Sequence, residues 1–299
     1  MKSMKNTGII QKKSFRERLV WLVIPAIAIP LLVGVVPFFL GIILSFSNWG
    51  LSLKGLKFAG LSNYFVVFSD PNFWSSIGVT LRLSGFSLLI QIALGVSIGY
   101  LLSIDIRGIS FFRSIILIPL MVAPVLSSLM WKLMLPEHGV INYMLSWLGI
   151  KGLSWLANPK TALLSIIAID TYIWTPFVAI VALAGFQALP KAPYEAAAVD
   201  GASRSFVLRK ITFPLMRPLL LLALIFRLIL SLKSFEIIYA TTAGGPGNIT
   251  TSLHLWSYIN TFTYGQGGKS TAAILVLFAL IFFVSNQLMK YWVKSAEYQ

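Results

Sequence analysis

Apolar residues in this chain run on continuously and do not alternate with polar ones. Six windows stand out, at residues 19–46, 76–104, 109–134, 161–189, 211–234 and 271–293. Each reaches or exceeds the roughly 20 residues that a helix needs to cross a hydrocarbon layer. In lipid such a window must be helical, because a helix satisfies every backbone amide within one segment. A transmembrane barrel would show short strands alternating between apolar and polar positions, and these runs do not. The pattern predicts an all-α polytopic membrane protein with six transmembrane helices. One membrane domain then fills residues 19–293, between a basic cytoplasmic tail at 1–18 and a short cytoplasmic tail at 294–299.

Composition agrees with the pattern, since 57% hydrophobic and 11% charged residues lie far outside the soluble globular range. The net charge of +15 would suggest nucleic acid if it were spread over one face. Its distribution instead follows topology. Fifteen of the 24 Lys and Arg residues fall in the amino-terminal tail, around the loops after the second and fourth windows, and in the tail after the sixth. The alternate loops hold only Lys54, Lys57, Lys151, Lys160 and Lys269. Basic loops stay on the cytoplasmic side, so both termini are predicted to be cytoplasmic. Membrane lipid is then the surrounding partner and nucleic acid is not one. The first window follows a basic tail as a secretory signal does, but it is too long and lacks a small-x-small cleavage site. It reads as a retained helix bent by Pro25, Pro30 and Pro37. The absence of cysteine removes disulfides, cysteine nucleophiles and thiolate metal sites.

The outward loops carry interfacial aromatics such as Trp49, Phe73, Trp74, Trp147 and Trp155, with a turn at Asp70-Pro71-Asn72. The loop between the fourth and fifth windows is different in kind. Pro190 and Pro193 interrupt the preceding window, and Pro193 suits the first position of a new helix, where its missing N–H costs nothing. Residues 194–200 make two turns of good helix former. Asp200-Gly201 is a stop, and Ser203 caps a second helix that runs on through Pro214 and Pro218. The result is a short exposed helix, about 12 Å long at 1.5 Å per residue, held between two membrane helices. Its alanines offer a slim face for a partner, and Glu195 and Asp200 offer charges.

On these residues the chain resembles the integral-membrane permease subunits of binding-protein-dependent ABC importers. Their signature is Glu-Ala-Ala, three residues, Gly, nine residues, then Ile-x-Leu-Pro. Glu195, Ala196, Ala197, Gly201, Ile211 and Pro214 match it, with Phe213 in place of leucine. Phe58–Tyr64, Asp170–Pro176 and the pair of segments Phe235–Tyr239 and Gly244–Gly247 resemble the carbohydrate-type branch, although Glu236 stands where that branch usually has Asp. The resemblance implies a type I ABC importer permease fold in a bacterial or archaeal cytoplasmic membrane. It also implies two permeases, the second usually a different paralogue, two cytoplasmic ATPase subunits that bind ATP and Mg, and an extracytoplasmic sugar-binding protein. The 190–214 loop would then couple the membrane domain to one ATPase through Glu195, Ala196, Ala197, Asp200, Gly201, Ile211 and Pro214.

Ionisable groups within membrane helices are costly and face a bundle interior or water. Asp170 interrupts the fourth window and Arg227 and Lys233 the fifth, with Glu236 at its outer end. Two readings stand: an Asp170–Arg227 ion pair that locks the helices, or contacts to sugar. Register with the maltose-type permeases implies a substrate path at Asp170, Tyr172, Trp174, Phe177, Arg227, Ser231 and Ser234. Aromatic faces and hydroxyl partners suit a sugar, and Arg227 would favour an anionic derivative.

No catalytic constellation appears. Gly265–Ser270 resembles a phosphate-binding loop, but Thr263 stands where that loop requires glycine. His138 and His254 lie in separate segments without metal-ligand spacing, so no metal site and no cofactor held by this chain are expected. An energy-independent six-helix channel or facilitator explains the spans and buried charges equally well, but it does not explain the 195–214 signature.

Overall fold

The computed structural model describes residues 21, 23–52 and 56–296, so the predicted basic tail at 1–18 and residues 297–299 of the carboxy-terminal tail lie outside the described residues. In chain order, α1 (Val23–Ser45) passes through a π turn at Leu31–Val35. The two-residue strands β1 (Ser47–Asn48) and β2 (Lys57–Phe58) pair antiparallel, Ser47 with Phe58 and Asn48 with Lys57. Next come α2 (Ser62–Ser69), the 33-residue α3 (Pro71–Ser103), α4 (Ile109–Met121), α5 (Pro124–Met134) and the short α6 (Val140–Ser146). The chain continues through α7 (Ala162–Gln187), α8 (Ala192–Val199) and α9 (Arg204–Leu232), which contains a π turn at Leu208–Thr212. It ends with α10 (Glu236–Thr241), α11 (Leu253–Phe262) and α12 (Gly267–Ala296).

Helices α1, α3, α7, α9 and α12 are each long and apolar enough to cross a membrane. The third predicted span differs from expectation. Read as one run, it consists of α4 and α5, which meet at 93° and make a sixth span only as a broken pair. The cause is local. Pro119 interrupts α4, and Pro124 opens α5. Proline disfavours helical backbone in the residue before it, and Val122 and Ala123 are extended, with ψ of 133° and 135°. At 13 residues α4 spans about 20 Å, short of a full crossing of roughly 30 Å. The second half, α5, packs against α10.

The Asp70-Pro71-Asn72 turn is the start of α3. Pro71 occupies its first turn, and the Asp70 carboxylate accepts the Asn72 N–H at 2.9 Å. The resemblance of 265–270 to a phosphate loop likewise resolves into structure, because this segment opens α12. The Gly268 N–H donates to the Trp49 carbonyl at 3.1 Å. Lys269 Nζ lies 2.7 Å from Asp70 Oδ2 and 4.9 Å above the Trp256 ring, so the starts of α3 and α12 are clamped together.

The main seam of the bundle joins α3 to α7. Gly95 and Gly99 are four residues apart and so share a helix face. A Cβ at Gly95 would stand 2.5 Å from Val178 Cβ, and one at Gly99 would stand 2.7 Å from both the Ala179 carbonyl oxygen and Ala182 Cβ. Small residues at this spacing let helix backbones approach closely where lipid removes the hydrophobic drive to associate. The apolar core around Leu83, Ile166, Ile169, Ile173, Ile238 and Leu255 forms above this contact and extends to α10 and α11.

Replacing Gly99 with Ile should overpack the seam and cost about 1–3 kcal/mol, read as a lowered thermal midpoint in detergent. Gly85→Ile, where no atom lies within 4 Å of the added Cβ, should leave the midpoint nearly in place. Equal effects would show that the close approach does not hold the bundle. A second prediction concerns acid. Burial raises the Asp70 carboxyl, but the Lys269 ammonium and the Asn72 N–H outweigh it, and the group ends below its ordinary value of 3.8. A depressed folded value stabilises above the unfolded one, so the clamp contributes fully above pH of about 4 and is lost as pH falls through the lowered value. Unfolding midpoints measured from pH 6 to pH 3 should fall in the wild type and fall less in Asp70→Asn. The difference should be within about 1 kcal/mol, as for a partly exposed pair.

Candidate functional site

Two features carry chemistry. The first is the short helix α8. Pro193 lies in its first turn, and Asp200 is its carboxy-terminal cap. Gly201 follows with φ of +67°, a left-handed conformation that costs side-chain-bearing residues about 1–2 kcal/mol. The Ala202 N–H returns to the Ala197 carbonyl at 2.9 Å and the Gly201 N–H to Ala198 at 3.2 Å, which closes the helix end on itself. Ser203 Oγ then accepts the Phe206 N–H at 3.3 Å and caps α9, as the sequence predicts, and the helix runs on into the apolar window that begins at 211. The Tyr194 hydroxyl donates to Thr212 Oγ1 at 3.0 Å, so α8 is tied to the π turn of α9.

What remains outward is the face a partner would meet. Glu195, Ala196, Ala198 and Asp200 are exposed, and Val199 is 89% exposed. Ala197 is buried, and Ile211 is half-buried. A cavity of about 480 Å3 opens between α8 and α9, bordered by Ala196, Ala197, Asp200, Phe206 and Ile211. Small side chains at 196 and 197 leave this space, and Phe206 offers it an apolar wall.

The second feature lies inside the bundle. Arg227 on α9 donates from Nη2 to Asp170 Oδ2 at 3.0 Å and from Nε to Gln91 Oε1 at 2.8 Å. Gln91 on α3 in turn donates from Nε2 to Asp170 Oδ2 at 2.8 Å and to the Asp170 carbonyl at 3.1 Å. The three side chains are 0–2% exposed. Trp174 stacks under the guanidinium, with Cζ 4.7 Å from its centroid. The locking ion pair is therefore present, and in this conformation Asp170 and Arg227 are engaged with each other.

The remaining predicted path residues do not all share one surface. Trp174 and Phe177 fall four and seven residues after Asp170 and lie on its face of α7, both half-buried. Tyr172 points elsewhere, 37% exposed and edge-on to Trp131 of α5 at 5.3 Å. Ser231 is buried beside Arg227 on α9, and its hydroxyl finds no partner among the described residues. Half-buried Ser234 accepts the Ser252 hydroxyl through its carbonyl at 3.1 Å. Sequence reasoning missed Gln91, whose one signal is an amide in the middle of an apolar run. It also passed over Arg82, exposed on α3, and Lys132, whose Nζ donates to the Ala240 carbonyl at 3.2 Å. Each is a charge inside a predicted window. His254 Nδ1 lies 3.0 Å from the Lys233 carbonyl, and His138 is exposed on another segment.

A multi-pass bundle with a glycine-terminated helix projecting from one end is the form of a membrane transport subunit. The chain belongs to the family described as binding-protein-dependent transport system inner membrane components, whose sequence profile matches residues 8–297. It is 40% identical over 225 residues to the trehalose/maltose transport system permease protein MalF of Thermococcus litoralis, covering 75% of this chain and 76% of that one. It is 34% identical over 227 residues to the sulfoquinovosyl glycerol transport system permease protein SmoG of Agrobacterium fabrum, covering 75% and 73%. Its fold matches a chain of a bacterial ABC transporter involved in the import of the acidic polysaccharide alginate, with a TM-score of 0.81, 24% identity and coverage of 95% and 98%.

Removing one partner of the buried pair leaves the other charge unpaired, so Arg227→Met should cost on the order of 3–5 kcal/mol. The double variant Asp170→Leu with Arg227→Met should recover most of that loss in denaturation measurements. A single variant as stable as wild type would rule out a structural pair.

Proposed function

We propose that this chain is the permease subunit of an ATP-driven importer, forming part of the path for a sugar, oligosaccharide or sugar derivative. The observation that carries this reading is α8, a capped helix exposed between two membrane spans and bearing the Glu195–Pro214 signature. Its partners on this reading are a second six-helix permease, two cytoplasmic ATPase subunits that bind ATP and Mg, and an extracytoplasmic sugar-binding protein. Both termini and α8 lie on the cytoplasmic side. The chain itself catalyses nothing and holds no cofactor.

In the proposed mechanism α8 seats in a groove of one ATPase subunit. Glu195 pairs with a basic group there, the alanines allow close approach, and Gly201 permits the turn back towards the membrane. Closure of the ATPases pulls α8, and its ties at Thr212 and through the Ile211–Pro214 segment pass the displacement to α9. The bundle is a two-state element biased by contacts at a distance. Trp174, Phe177, Ser231 and Ser234 meet the sugar ring and its hydroxyls, with Tyr172 serving the path from the other side of α7. Asp170 and Arg227 hold the wall behind them. The sugar class is supported by the similarity to permeases of trehalose/maltose and sulfoquinovosyl glycerol systems.

Affinity purification of the tagged chain from its native membrane should bring down a P-loop ATPase and a second six-span permease. A homo-oligomer without an ATPase, in a preparation where known complexes survive, would favour a facilitator. Gly201→Asp should insert and assemble normally yet lose uptake by at least about tenfold, since coupling geometry fails while the fold stands. Uptake at the wild-type rate would sink the coupling role.

A further inference from the structure

A groove on the flank of α9 joins a basic end to an apolar trough. Its cavity of about 640 Å3 runs between α9, Ile92 of α3 and Ser295 near the end of α12. Arg209 and Arg217, eight residues apart with Phe213 between them, line the half nearer the start of α9, Leu221 and Leu224 continue the wall beyond them, and no carboxylate among the described residues lines it. Residues 213, 217, 221 and 224 recur at helical spacing, so beyond Arg217 the same face of α9 carries about 10 Å of apolar surface. Both guanidiniums are exposed, and neither has an ion-pair or hydrogen-bond partner among the described residues.

Two guanidiniums in one groove, without a partner among the described residues, favour an anion, and their planar forks match phosphate oxygens. A free phosphate would leave the leucine wall against water. An anionic headgroup bearing an acyl chain covers both parts at once. Basic pockets between membrane helices at the cytoplasmic side are where acidic lipid headgroups bind. We propose that this groove is a specific site for an acidic phospholipid, its phosphate held by Arg209 and Arg217 and one acyl chain lying along Phe213, Leu221 and Leu224. Pro214 also lines the groove, so the lipid abuts the root of the α8 loop and steadies the segment through which α8 acts on α9. The site rests on the importer reading only in placing this end of the bundle at the cytoplasmic leaflet.

The test is native mass spectrometry of the intact purified assembly, titrated with phosphatidylglycerol against phosphatidylcholine of the same acyl chains. Wild type should retain phosphatidylglycerol at least about tenfold better. Arg209→Gln with Arg217→Gln should bring the ratio to near one, while Arg209→Lys with Arg217→Lys keeps most of it. Leu221→Trp, with both arginines intact, should displace the lipid by filling the trough, and it replaces the glutamine pair as the decisive variant if that pair does not assemble. Glycerol 3-phosphate should leave the lipid in place. Equal retention of both lipids, a preference that survives both the glutamine and the tryptophan changes, or displacement by glycerol 3-phosphate alone overturns the proposal. Loss of a co-purifying subunit from the glutamine variant with its lipid count unchanged also overturns it and assigns the groove to that subunit. The lipid count is read whatever proteins co-purify, so a failed importer reading and a failed lipid site give different results.

Discussion

A charge inside an apolar bundle is tolerable only where its counter-charge is already in place, and the arrangement of α3, α7 and α9 follows from that requirement. Asp170 on α7 and Arg227 on α9 lie 57 residues apart along the chain. Gln91 completes the set by bonding both the side chain and the backbone of Asp170, which demands that α3 lie close to α7. Gly95 and Gly99, one and two turns further along α3, make that approach possible. The polar contact and the missing side chains are two parts of one solution. Neither would serve without the other.

The projecting helix depends on this rigid body. A short helix cannot hold its own shape in water, because nucleation fixes several residues for a single hydrogen bond. Here Pro193, the reverse turn at Gly201 and the Tyr194–Thr212 bond supply the order that length does not. Force applied to α8 therefore reaches α9, and α9 carries Arg227. The exposed loop and the buried charge cluster are thus mechanically continuous, though they lie at different depths.

What could be read from the sequence was local. The 190–214 segment was legible nearly residue by residue, since proline, left-handed glycine and serine caps act on their immediate neighbours. The long spans followed from apolar run length. The break in the third span escaped because hydropathy records that 109–134 is apolar and not that it changes direction, although Pro119 and Pro124 bracket the site. Gln91 escaped for the opposite reason: its meaning lies in partners 79 and 136 residues away. The clamp of Lys269 to Asp70, 199 residues apart, was hidden in the same way, and local pattern offered for its segment only a phosphate-loop likeness that Thr263 already spoke against.

The shared ion pair has a consequence for how the chain is made. On translocon scales an Asp or Arg at the centre of a span costs about 2.5–3.5 kcal/mol. Helix α7 emerges from the ribosome with Asp170 unmatched, and α9 follows only after the whole α8 loop has been synthesised. Neither span is well suited to lipid alone. The charge of each is matched only once both spans are present, so the same two side chains that hold the finished bundle together also make α7 and α9 depend on each other for their place in lipid.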